Sequence, residues 1–326
     1  MKASIRLIWA VFLAAGLLSA EDSLRHEANV LLLKASDLSS FKSGERPQLN
    51  MQVQFVVRQA NNADAKGTYL QESASAEKWR YEILFGGFHE IRVRLEKRIW
   101  TKKNTDFVPL PVETLSRALF TTRFLMVQSD VVKRLQNRKV NGVEARCIDF
   151  ENIVGSKKEN GQICIERATG VVIYWQYGQR EIWYSNYLPF AGKLLPRHIT
   201  AAQGAFYSLE ADVIYNEVKS FPSDAFTPLV DAEITDVCTN SRPPILKHAP
   251  DPVYPPSLRR GAFKGKMVVE VEIGEDGHVK KEAIVQTVHP DLDRAVLIAV
   301  RQWIYEPKTC DGKPVPSVTK VEFDYR

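Results

Sequence analysis

Residues 265–287 read GKMVVEVEIGEDGHVKKEAIVQT. Met267, Val269, Val271 and Ile273 alternate with Val268, Glu270 and Glu272, a period of two that predicts a strand with one wholly apolar face. Gly274-Glu275-Asp276-Gly277 supplies a hairpin turn, and Val279 to Thr287 is the returning strand. Pro290 then starts a helix that carries Leu292, Ala295, Val296, Ala299 and Trp303 on one face and ends at Pro307. Thr319, Val321, Phe323 and Tyr325 form one face of a last strand, expected to meet the helices, and leave Val318, Lys320, Glu322 and Asp324 facing away. On the near side, Pro255 and Pro256 open a short helix that Gly261 closes. Residues 250–326 therefore read as a small αββαβ unit.

Working upstream, residues 226–249 read as a linker, marked by Phe226-Thr-Pro228, Cys238 and Arg242-Pro243-Pro244. Residues 21–225 have a different texture. Ala28, Leu31, Leu32, Ala35 and Leu38 share a helical face, after which Leu49, Met51, Val53, Phe55 and Val57 alternate with polar residues. Trp79, Tyr81, Ile83 and Phe85 repeat the alternation, as do Ile91, Val93 and Leu95 against Arg92, Arg94 and Glu96. A helix is expected from about Val112 to Gln128, and strands resume until about Tyr215, punctuated by Asn141-Gly142, Thr169-Gly170 and Ala191-Gly192. Runs of strands with one helical interruption predict an α+β fold: a curved antiparallel sheet whose apolar face is covered by the helices.

Residues 1–20 read as a processing signal. Lys2 and Arg6 precede the apolar run Leu7 to Leu18, and Leu18-Ser19-Ala20 is a small-residue cleavage site. The run is shorter than the roughly 20 residues that a spanning helix needs. The expectation is a cleaved signal and a periplasmic protein; the alternative is an inner-membrane anchor through residues 7–18. Losing Lys2 and Arg6 lowers the formal charge from +5 to +3, too small for a nucleic-acid footprint. With 17 Gly, 17 Pro and 44% hydrophobic residues, the 326-residue chain is no disordered tail, collagen or polytopic membrane protein. Export makes its four cysteines a disulfide count. Cys147 and Cys164 lie in strand-like runs flanking the polar loop Gly155 to Gly161, and a bridge across that hairpin is expected; Cys238 and Cys310 are the weaker pair, and four buried thiols are the alternative.

Tyr254-Pro255, Gly265 before the first strand, Asp276-Gly277, Leu292-Asp293, the run Arg301 to Pro307 with Trp303 and Tyr305, and Asp311-Gly312 appear in one order. That order resembles the C-terminal domain of the TonB energy-transducer family. The resemblance covers about a quarter of the chain and implies two helices on a small sheet that binds an outer-membrane transporter, whose extended segment adds a strand to an open edge. The implied docking strand is Ser317, Val318, Thr319, Lys320, Val321, Glu322, Phe323, Asp324 and Tyr325. The preceding domain resembles, in architecture alone, the half-barrel of periplasmic lipoprotein carriers and receptors. Trp79, Tyr81, Trp175, Trp183 and Phe206 are then candidates for lining an apolar cavity, their bland reading being core. A transducer of this family also has an N-terminal membrane helix and a Pro-rich spacer, and a folded domain stands here in their place.

Catalytic signals are weak. Ser39 to Lys42 and Ser75 to Lys78 match S-x-x-K without its companion motifs, and the six His are scattered. No spacing calls for a cofactor or metal. The expected function is a non-enzymatic envelope protein that binds a partner, with an energy transducer or a lipid or lipoprotein carrier as alternatives.

Overall fold

The structure, a computed structural model, describes residues 20–41, 44, 46–59, 64–120, 125–126, 130–154, 157–204, 206–254 and 265–325. The signal segment up to residue 19, Pro255 and the short helix expected at Pro255 to Gly261 lie outside them. In chain order the elements are α1 (Ala20–Ser39), β1 (Leu49–Gln59), β2 (Ala65–Ser73), β3 (Lys78–Phe85), β4 (Phe88–Leu95), β5 (Arg98–Lys103) and α2 (Leu110–Phe120). Strands β6 (Asp130–Val140), β7 (Val143–Val154), β8 (Lys157–Glu166), β9 (Val172–Tyr177), β10 (Arg180–Phe190), β11 (Lys193–Gln203) and β12 (Tyr207–Glu217) follow. The chain ends with β13 (Glu233–Asp236), β14 (Ser241–Arg242), β15 (Ile245–His248), β16 (Gly265–Ile273), β17 (Val279–Gln286), α3 (Pro290–Val300), β18 (Ile304–Glu306), β19 (Thr309–Cys310), β20 (Lys313–Pro314) and β21 (Ser317–Tyr325). The fold is mostly sheet, with open sheets and three helices among the described residues. Two compact units divide it: Met1–Phe41 with Thr121–Pro196 and Ala202–Gly204, and Lys42–Phe120 with Arg197–Ala201 and Ala205–Arg326.

In the first unit the strands run in the order β10-β9-β8-β7-β6, α1 packs on β6, and Ala28, Leu32 and Ala35 of α1 are buried. Leu38, at the end of the predicted apolar stripe, is 39% exposed. Pairing of β7 with β8 continues out to Val154 and Lys157, so the stretch read as a loop is mostly strand. Its Gly161 lies opposite Phe150, whose ring occupies the place where a Cβ would stand. The same register sets Cys147 against Cys164, which are bonded inside a cluster with Val140, Ala145, Val171 and Tyr174.

The second unit holds the order β13-β5-β4-β3-β2-β1-β12. Leu49, Met51, Val53, Phe55 and Val57 of β1 are at most 3% exposed. Val112, Leu115, Ala118 and Leu119 of α2 are buried, and the Thr114 and Tyr207 hydroxyls meet at 2.7 Å where α2 crosses β12. Strand β4 departs from the sequence reading. Its register opposes Phe88, Glu90 and Arg92 to Phe85, Ile83 and Tyr81, which puts two charges on the covered face and Ile91, Val93 and Leu95 on the other. Mutual satisfaction makes this tolerable: the Tyr81 hydroxyl donates to Glu90 at 2.7 Å, and the Arg92 guanidinium bonds Glu90 while lying over the Tyr81 ring. Val93, fully buried on the opposite face, is part of a sheet end covered on both sides.

The C-terminal part of this unit has the strand order β17-β16-β21, with α3 on one face. Met267, Val269, Val271 and Ile273 are at most 0% exposed and pack with Leu292, Val296, Val300, Trp303 and Tyr305. Helix α3 stops at Val300, earlier than the apolar spacing suggested. Bonds from Gln302 N–H to Ala299 O and from Trp303 N–H to Val300 O tighten the last turn, and the chain continues as β18. Trp303 keeps its place in the core from that turn. Residues 226–249, which read as a linker, carry β13, β14 and β15, each paired to a neighbouring strand.

Candidate functional site

The positions that set the small unit apart in sequence have identifiable tasks. Gly277 has φ +79°, and a Cβ there would lie 2.0 Å from the Tyr305 carbonyl oxygen; the Tyr305 N–H in turn donates to the Gly277 carbonyl at 2.8 Å. Only glycine permits that approach. Asp276 accepts from the His278 N–H and pairs with Lys280, which holds its carboxyl below the usual range and stiffens the turn. The Trp303 indole donates to the Pro250 carbonyl at 3.1 Å and packs on Phe323, and burial pushes the Tyr305 phenol up to about 12. Tyr254 and Tyr325 share a hydroxyl contact of 3.2 Å. Arg301 bonds Glu282, and Asp311-Gly312, both at positive φ, form the β19-β20 turn that Thr239 and Asn240 cap. Gly265 opens β16 at φ +147° against Val288.

Strand β21 pairs with β16 from Ser317 opposite Ile273 to Tyr325 opposite Gly265, and it lies at the end of the strand order. Val321, Phe323 and Tyr325 pack against the α3 core. The opposite side chains do not all reach solvent. Val318 is 58% exposed, but Lys320 reaches the start of α2: its ammonium is 2.6 Å from Glu113, 3.3 Å from Glu270 and 3.1 Å from the Val108 carbonyl. Burial alone would raise the Glu113 carboxyl, but Lys320 and Arg117 outweigh it and hold the group below its ordinary value. Beside this contact, β5 and β13 face β16, β17 and the start of β21 across a cleft of about 830 Å³ that includes Arg92, Lys103, Glu233, Glu272 and Ser317. No part of this contact was signalled in sequence, because its partners are separated by 207 positions.

Of the aromatics read as cavity candidates, Trp79 stacks on buried Tyr81 in the second unit, and Phe206 is half-buried there. Trp175 and Trp183 belong to the first unit, where Trp183 packs on Tyr174 and Trp175 on Tyr177. None of the five borders the 830 Å³ cleft. Among the described residues, the group with ligand-like spacing of His, Cys, Asp or Glu is Cys238, Cys310 and Asp311, and its two sulfurs are bonded to each other.

A hairpin, a helix and a third strand beside the first define a small sheet module whose strand order, among the described residues, ends at β21. Residues 250–326 match the family described as Gram-negative bacterial TonB protein C-terminal. Protein TonB of Xanthomonas campestris pv. campestris (strain B100) is 26% identical over 80 residues, which cover 24% of this chain and 36% of that protein's length. For the N-terminal part, structural neighbours include a LolA superfamily protein from Nitrosomonas europaea, with TM-score 0.41 and 13% identity over 61% of this chain and 97% of the other. The Pseudomonas aeruginosa MucA/MucB complex is a further neighbour, with TM-score 0.31 and 12% identity over 91% of this chain and 93% of the other. No helix among the described residues is long and apolar enough to cross a membrane.

Proposed function

We propose that the chain is a non-enzymatic periplasmic protein, exported by a signal cleaved before Glu21, whose C-terminal module binds an outer-membrane transporter or another envelope protein by strand addition along Ser317 to Tyr325. The observation that supports this reading is the position of β21 at the end of a three-stranded order within a segment similar to TonB C-terminal domains. An edge strand offers a row of backbone donors and acceptors, so an extended partner segment gains hydrogen bonds with little demand on its side chains. The N-terminal body, read as half-barrel-like and as a carrier of an apolar ligand, would stand where a transducer has its spacer. A fluorescent peptide copying the periplasmic extended segment of a transporter from the same cell should raise its anisotropy on titration with the full chain. No change at protein concentrations up to hundreds of micromolar would remove the strand-addition reading.

A further inference from the structure

A three-stranded sheet with helices on one side has a second face, and in an isolated module that face meets water. Here it does not. Lys266, Val268 and Glu270 of β16 point away from the α3 core, opposite Asp324, Glu322 and Lys320 in register, and are 9%, 2% and 8% exposed. The half-buried ammonium of Lys320 stands between Glu270 of its own sheet and Glu113 in the first turn of α2. Lys281 of β17 reaches Asp106, in the loop that leads to α2, at 2.8 Å. The connecting segment repeats the attachment: β13 extends the sheet beyond β5, the Val237 N–H donates to the Lys97 carbonyl, and the next residue, Cys238, is bonded to Cys310.

We infer that the outward face of the β17-β16-β21 sheet is a docking surface whose partner is this chain's own α2 entrance, so that the β21 edge is held out as a fixed part of the second unit instead of swinging on a tether. The docking stands on the burial and the charges; only the use made of the edge rests on the strand-addition reading. Lys320 is its centre. A cation set between two carboxylates from opposite sides of the junction draws them together, and its removal leaves like charges facing each other with little water to screen them. Lys281 and Asp106 are exposed and add a weaker, salt-screened attraction.

The test is 15N relaxation on the full mature chain carrying Cys238→Ser and Cys310→Ser, so that the module is not also held through that bond. Amides of β16 and β21 should share one rotational correlation time with those of β1 and β12. In a Lys320→Met, Lys281→Met variant the common value should split, the module's becoming the shorter, while Lys320→Arg keeps one value. Glu113→Gln with Asp106→Asn breaks the same junction from the other side, without touching the module, and should give the same split. Two correlation times in the parent would overturn the inference. So would a single value that persists in both double variants. The transporter peptide added to the same samples separates the two readings: a common correlation time without peptide binding leaves docking standing and removes strand addition, and binding by an independently tumbling module does the reverse.

Discussion

Lys320 of β21 and Glu113 of α2 form an ion pair at 2.6 Å. Their side chains are 16% and 25% exposed, between the surface pairs worth almost nothing and the buried pairs whose disruption costs several kcal/mol. Replacing Lys320 by Met should cost on the order of 2 kcal/mol, since Glu113 and Glu270 lose their shared partner. The pH dependence has a definite sign. Glu113 is held below its ordinary value of 4.5, so the fold binds the ionised form, and the stabilisation is full above that value and lost as pH falls through the depressed one. The groups around it are Lys320, Arg117 and Glu270. Melting temperatures of the parent should drop below about pH 4 more steeply than those of Glu113→Gln. Parallel curves would show that Glu113 contributes nothing to this window.

Among the elements, those with one apolar face over four or more alternations were legible: β1, β3, β16 and β21 all follow their sequence period. Strand β4 was not, because Ile91, Val93 and Leu95 look like a core face when the partners that make Glu90 and Arg92 tolerable lie on β3. Strands β13 and β15 escaped for another reason: all four residues of each are exposed and show no alternation. In α3 the helical spacing of Trp303 is met by a turn that happens to return the ring to the same core. The docking strand yields its own prediction. Along a strand, neighbouring N–H groups point to opposite sides, so proline at adjacent positions separates the open edge from the ladder with β16. Of Val318→Pro and Thr319→Pro, one should abolish peptide binding with little loss of stability, and the other should destabilise the sheet. Alanine at either position should leave binding within about twofold, since backbone groups carry it. Equal binding by both folded proline variants would place the partner elsewhere.

At the scale of the molecule, the two disulfides close loops of different reach. Cys147 and Cys164 are 17 positions apart, Cys238 and Cys310 72 apart. On the chain-entropy account their loss should cost about 3 and about 4.5 kcal/mol respectively, by restricting the unfolded chain. Serine pairs at each site, compared by denaturant midpoints with the reduced parent as control, check the order. A larger loss at the shorter loop would mean that native contacts outweigh chain entropy there.

The pairing of β1 with β12 joins residues 49–59 to residues 207–217. During synthesis, then, β1 waits with one long edge open until another 150 or so residues have followed it. A chain emerging from its amino end exposes the alternating Leu49, Met51, Val53, Phe55 and Val57 throughout that interval, in a segment with the β-propensity that favours intermolecular pairing. Until β12 arrives, that stretch is free to pair with a copy of itself.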